Sequence, residues 1–126
     1  MRYLITAMLV FVGVIHLLPL SGVLGGEQLS SLYGLSFTEP NLAILMRHRA
    51  VLFGLLGLFL LVAAFHPRSR TLAFIAGFVS VASFLWLAWS VGGYNAQISR
   101  VFSVDTAALV CLIVGAAAHI YEQRKD

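Results

Sequence analysis

Apolar residues fill four stretches of this chain, at residues 3–20, 42–65, 71–91 and 104–121, and polar residues collect between them. The third stretch has the ~20 residues that a ~30 Å hydrocarbon core requires, and the fourth is somewhat shorter. The expected architecture is all-α: a polytopic membrane protein, folded as a four-transmembrane-helix bundle in one domain over residues 1–126. Arg2 followed by the first stretch has the outline of a signal peptide. The stretch lacks an A-x-A cleavage site, contains His16 and is followed by three more spans, so it reads as a retained helix.

The connections add detail. His66-Pro67-Arg68-Ser69-Arg70 predicts a tight turn whose proline ends the second helix. Residues 92–103 read as a modest loop opening with Gly92-Gly93. The long connection is the first, residues 21–39. Within it, 27–33 place Leu29, Leu32 and Tyr33 on one face and stop at Gly34, which predicts a short interfacial helix. Thr38-Glu39-Pro40 predicts a helix start, with Thr38 as hydroxyl cap, Glu39 in the first turn and proline where its missing N–H costs little. The second helix then runs over 40–65, about 39 Å at 1.5 Å per residue. That exceeds the membrane core, so it must tilt, protrude or carry Arg47-His48-Arg49 into the outer leaflet.

Composition excludes other classes. The chain is 60% hydrophobic and 10% charged, against roughly 45–50% and about 25% in ordinary soluble domains. A water-soluble domain, a disordered tail and a disulfide scaffold are all ruled out. Cys111 is the single cysteine, so no internal bridge can form. It reads as a small packing residue. The net charge of +3 does not predict nucleic-acid binding, because the basic residues form no stripe with interleaved aromatics.

Instead they mark topology. With the N-terminus inside, Arg2, Arg68, Arg70, Arg124 and Lys125 lie on the inner side, and Arg47, Arg49 and Arg100 on the outer side. Five against three places both termini in the cytoplasm. Tyr3, Phe65 and Tyr121 then fit an inner aromatic belt, and Trp86, Trp89, Tyr94 and Tyr33 an outer one. Small residues at three- and four-residue steps predict close helix packing: Gly54 and Gly57; Ala73, Ala76, Gly77, Ser80 and Ser83; Ala107, Cys111, Gly115 and Ala118.

Ionisable residues within a span are expensive and usually paired or functional. Here they gather toward the outer side. His16 lies in the upper first helix and Arg47, His48 and Arg49 in the upper second, while Glu39, Asn95, Arg100 and Asp105 approach from loops and helix starts. Arg47 and Arg49 are about 200° apart around a helix, so only one turns inward, toward Glu39 or Asp105. Each residue also has a structural reading. Asp105 with Ser103 suits a helix N-terminus, Arg100 a headgroup contact and His48 the interface. His16, well inside a span, needs a partner, and a hydrogen bond to a neighbouring helix supplies one. A ligand-binding reading joins His16, Tyr33, Glu39, Arg47, His48, Arg49, Asn95, Arg100 and Asp105, with Trp86 as an apolar wall.

The four histidines, His16, His48, His66 and His119, pair by leaflet in principle and would hold b-type haem through axial imidazoles. His66 at a turn and His119 near the charged tail speak against it. No histidine spacing on one helix supports zinc or copper. Phosphate-loop, nucleophile-elbow and zinc-protease motifs are absent, so no catalytic residue is expected.

A first span closing His16-Leu-Leu-Pro, a first outer loop with Leu32-Tyr33-Gly34 and a second span with Arg47-His48-Arg49-Ala-Val-Leu-Phe-Gly54 resemble small bacterial four-helix membrane proteins of the broad DoxX-like kind. The resemblance covers most of the chain and implies an inner-membrane bundle. The chain also has the size of small multidrug exporters, but no acid lies in its first span where theirs carries a glutamate for proton coupling, so His16 would have to substitute. Three functions follow as expectations. The first is binding a lipid-like or quinone-like molecule or a partner membrane protein through the outer polar cluster. The others are a small homo-oligomeric transporter and a haem-binding redox subunit.

Overall fold

A computed structural model describes residues 1–36 and 38–125. The described residues contain helices and turns and no strand. Helix α1 spans Arg2–Leu17 and tightens into a 3-10 stretch, Leu18–Leu24. Proline causes the change. Pro19 has no N–H to give the carbonyl of Ile15, and Leu18 N–H takes that carbonyl instead.

Helix α2, Gly26–Tyr33, ends where expected. Gly34 is left-handed at φ 68°, and its N–H bonds the Ser30 carbonyl at 2.7 Å. Leu29 and Tyr33 are its buried residues. Gly22 gives Leu29 its seat, since a Cβ there would lie 2.8 Å from Leu29 Cδ2.

Helix α3, Pro40–Ala64, starts at the expected proline but is capped differently. Glu39 itself is the N-cap, its carboxylate accepting from Asn41 N–H at 3.1 Å and Leu42 N–H at 2.8 Å. Glu39 rather than Thr38 therefore closes the turn, and a carboxylate suits the positive end of a helix better than a hydroxyl. A short 3-10 turn, Pro67–Ser69, leads to α4, Arg70–Val91. Gly92 and Gly93, at φ 68° and 66°, then reverse the chain in a conformation L side chains rarely adopt.

Helix α5 runs Ala96–Lys125, eight residues earlier than the apolar pattern predicted. Asn95 starts it, its Oδ1 accepting from Ile98 N–H at 2.8 Å. The stretch expected to be a loop is thus mostly helix. Asp105 sits well inside the helix and caps nothing. The loop reading of 92–103 missed that Gln97, Arg100, Val101, Val104 and Asp105 form one stripe at helical spacing.

The four segments Arg2–Leu24, Pro40–Ala64, Pro67–Val91 and Ala96–Lys125 are each long and apolar enough to cross a membrane. They pack in a ring, α1 on α3, α3 on α4, α4 on α5 and α5 on α1, leaving α1 diagonal to α4. The core is built from all four, with Ile5, Leu9, Leu60, Phe74, Val81 and Leu112 at its centre. Close approach relies on glycine. A Cβ on Gly57 would meet the carbonyl oxygen of Gly13 at 2.8 Å, and Gly13 is a packing residue the small-residue pattern did not single out. On α5 the seam passes through Ala108, Leu112, Gly115 and Ala118; Ala107 faces outward. The exterior is apolar, with Val79, Trp89 and Val91 each more than half exposed.

Candidate functional site

At the end of the bundle away from the chain termini, the helices leave a cavity of about 300 Å³. Helix α1 and its extension supply Ile15, His16, Leu18 and Pro19, and α2 supplies Ser31, Leu32 and Tyr33. Arg49 and Phe53 come from α3, and the α5 stripe of Gln97, Arg100, Val101, Val104 and Asp105 completes the wall. A mostly apolar lining with a few convergent polar groups is the usual composition of a small-molecule site.

His16 is fixed on both sides. It is 3% exposed. Its Nδ1 lies 2.9 Å from the Val12 carbonyl and its Nε2 3.0 Å from Ser80 Oγ. A carbonyl only accepts, so Nδ1 carries the proton and donates; in the neutral ring Nε2 then accepts from the Ser80 hydroxyl. The bond to Ser80 crosses the bundle diagonal and ties α1 to α4. Its ring packs against Phe53 at 5.7 Å between centroids. The partner that a buried imidazole requires is thus a serine from the small-residue face of α4.

Arg49 is the inward-turning arginine. Its Nη1 donates to Tyr33 Oη at 2.6 Å, and its guanidinium lies over the Phe53 ring at 4.4 Å and the Tyr33 ring at 5.4 Å. Tyr33 is 5% exposed, so it is a wall of the site rather than a member of an outer aromatic belt. Asparagine supports it from behind. Asn95 Nδ2 donates to the Tyr33 carbonyl at 2.7 Å, fastening α2 to the start of α5.

Four expected members lie elsewhere. Arg47 is exposed and donates to the Val23 carbonyl at 2.8 Å, because two positions along α3 carry it away from Arg49. His48, one position from Arg49, is exposed as well. Glu39 is exposed and occupied with its own helix. The two backbone N–H groups of Leu42 and Asn41 hold its carboxyl below the ordinary glutamate value of 4.5. Trp86 is 64% exposed and pairs with Trp89 at 5.6 Å on the outside of α4, so it walls nothing. Conversely Gln97, Ser31 and Phe53 line the site without having been singled out. The signal for Gln97 was its place in the stripe 97, 100, 101, 104, 105.

A second polar cluster sits near the termini. Arg70 is 4% exposed, and its Nη2 donates to Thr6 Oγ1 at 2.9 Å and the Ala64 carbonyl at 2.8 Å. Ala64 ends α3, so the guanidinium sits at the negative end of that helix and links α1, α3 and α4. Arg70 is therefore a buried clamp and not a surface topology mark. Nearby, His119 Nε2 lies 2.9 Å from Thr71 Oγ1. His66 and His48 are both exposed, whereas His16 and His119 are buried. Among the described residues, no three His, Cys, Asp or Glu side chains are grouped to hold a metal ion.

Fold and site together define an all-α protein of four long apolar helices with an amphipathic cavity under its loop helix. No family model matches the chain, and neither a curated protein nor a solved structure does.

Proposed function

We propose that this chain is a multi-pass protein of a bacterial inner membrane, of the DoxX-like kind, that binds a lipid-like or quinone-like molecule in the cavity between α1, α2, α3 and α5. The observation that carries this reading is the cavity's lining. Ile15, Leu18, Leu32, Val101 and Val104 offer a surface for a hydrocarbon chain, while Arg49, Arg100 and Asp105 offer charges for a head. A volume of about 300 Å³ is at the lower end for ligand sites, so it suits a head and the start of a chain, with the remainder outside.

The membrane assignment rests on the apolar exterior, which would face water at great cost in a soluble protein and costs nothing against lipid. Orientation rests on the exposed basic residues. With Arg70 buried in its clamp and Arg49 in the cavity, four remain on the termini side (Arg2, Arg68, Arg124 and Lys125) against Arg47 and Arg100 on the other. That margin favours termini in the cytoplasm, with the cavity toward the outer leaflet.

Native mass spectrometry after mild solubilisation tests the reading. The wild type should retain a reproducible small amphiphile, and Val104→Phe, which fills the cavity from α5, should lose it. Wild-type protein that arrives without a ligand, or a ligand retained equally by Val104→Phe, would count against the cavity as its site. Recovery of a stoichiometric partner protein in place of a small molecule would move the function to the helix exterior.

A further inference from the structure

Resting on that reading, we propose that the head bound in this cavity is a singly charged oxyanion, a carboxylate or a phosphodiester, held by Arg49 with Arg100 beside it. The charges lining the cavity are two guanidiniums and one carboxylate, Asp105. His16 offers a ligand no free ring nitrogen, since Nδ1 is engaged with the Val12 carbonyl and Nε2 with the Ser80 hydroxyl. These three side chains therefore sum to one excess positive charge, with Arg49 half-buried and Arg100 exposed, and an anion of the same magnitude neutralises it.

Geometry points the same way. Neither arginine forms a salt bridge with a carboxylate among the described residues, so Asp105 lines the same cavity as Arg49 without taking its guanidinium in contact. Arg49 has one N–H committed to Tyr33 and its plane held by two rings. A guanidinium fixed in this way binds an oxyanion with little further loss of side-chain freedom, and its planar fork fits two oxygens at once. Asp105 sets the limit on charge. It repels a second negative charge, so a monoanion is favoured over a phosphate monoester, and it can accept from a hydroxyl carried by the head. A cationic head would meet two arginines for one carboxylate.

Displacement of radiolabelled oleate from the full chain in neutral maltoside micelles tests this. The competitors are oleate, 1-oleoyl-lysophosphatidylglycerol, neutral monoolein and inorganic phosphate. The two singly charged amphiphiles should compete at least ten-fold better than monoolein, which shares their chain. Arg49→Gln and Arg100→Gln should each shrink that ratio several-fold, and Asp105→Asn should enlarge it. Arg100 is exposed, so its variant keeps the test open if Arg49→Gln fails to fold. Monoolein competing as well as oleate, with Arg100→Gln and Asp105→Asn without effect, overturns the charge preference and leaves an amphiphile site standing. No saturable oleate binding, with no competition by any amphiphile, overturns both. Inorganic phosphate competing as well as lysophosphatidylglycerol replaces the amphiphile with a free anion and also overturns the proposal.

Discussion

Removing the Ser80 hydroxyl isolates the hydrogen bond to His16, which joins the two diagonal helices beside the cavity. In Ser80→Ala the imidazole keeps its bond to Val12, which lies one turn earlier in the same helix and persists in any state where α1 is helical. Only the 3.0 Å bond from Ser80 Oγ to Nε2 is lost. In water, leaving a buried acceptor unsatisfied costs about 1–3 kcal/mol. Between membrane helices the figure is smaller, averaging about 0.6 with a maximum near 1.7 kcal/mol, because the unfolded helices find other partners in the bilayer. The second range governs here. His16→Leu loses the same bond plus ring packing on Phe53, so its cost should be the larger. The assay is a double-mutant cycle over His16→Leu, Ser80→Ala and the pair, with stability read from unfolding as the fraction of denaturing detergent in mixed micelles rises. The coupling energy should fall between about 0.6 and 1.7 kcal/mol. Coupling inside the roughly 0.3–0.5 kcal/mol seen for independent sites would refute the bridge.

Other consequences follow from the same geometry. Gly57→Ala and Gly54→Ala gain the same helix propensity, but the Cβ at 57 meets a backbone carbonyl at 2.8 Å while that at 54 meets only the tip of Leu20. Detergent unfolding should show Gly57→Ala losing about 1–3 kcal/mol to overpacking relative to Gly54→Ala, and equal stabilities would mean α1 and α3 do not approach closely. Arg70→Met removes the bonds to Thr6 and Ala64 and should cost about 1.5–3 kcal/mol in the same measurement; a loss no larger than that of Arg68→Met would contradict the clamp. The carboxyl of Glu39 is held below its ordinary value, so its capping contribution is present above 4.5 and lost as pH falls through the lowered folded value. Amide exchange should show Asn41 and Leu42 protected near neutrality, and deprotected in acid after allowance for intrinsic rates. Glu39→Ala should abolish that pH dependence, and protection that survives in the variant would reject the cap.

Much of the fold was legible because its signals are local. Continuous apolar length predicted four helices, Gly34 predicted the end of α2, and Pro40 predicted the start of α3. The start of α5 was not, because 92–103 read as a loop after Gly92-Gly93, whereas Gln97 and Arg100 belong with Val101, Val104 and Asp105 to a helical stripe that becomes a site wall once α1 and α2 stand opposite. Spacing alone showed that Arg47 and Arg49 diverge, but only the position of Tyr33 decides which one enters the cavity. Arg70 counted as a topology mark for the same reason: burial beside the end of α3 is a tertiary fact. Trp86 illustrates the reverse error. A large ring near the site in sequence order faces outward because the inward face of α4 is taken by the small residues that admit neighbouring helices.

In the proposed function the cavity, not the apolar exterior, holds the ligand. Photolabelling the wild-type chain in membranes with a diazirine-bearing oleate, followed by mass-spectrometric mapping, separates the two locations. Labels should concentrate on cavity residues such as Ile15, Leu32 and Val104 and be competed by unlabelled oleate. Labels spread over outward residues such as Val79 and Trp86, insensitive to competition and absent from the cavity, would contradict the account.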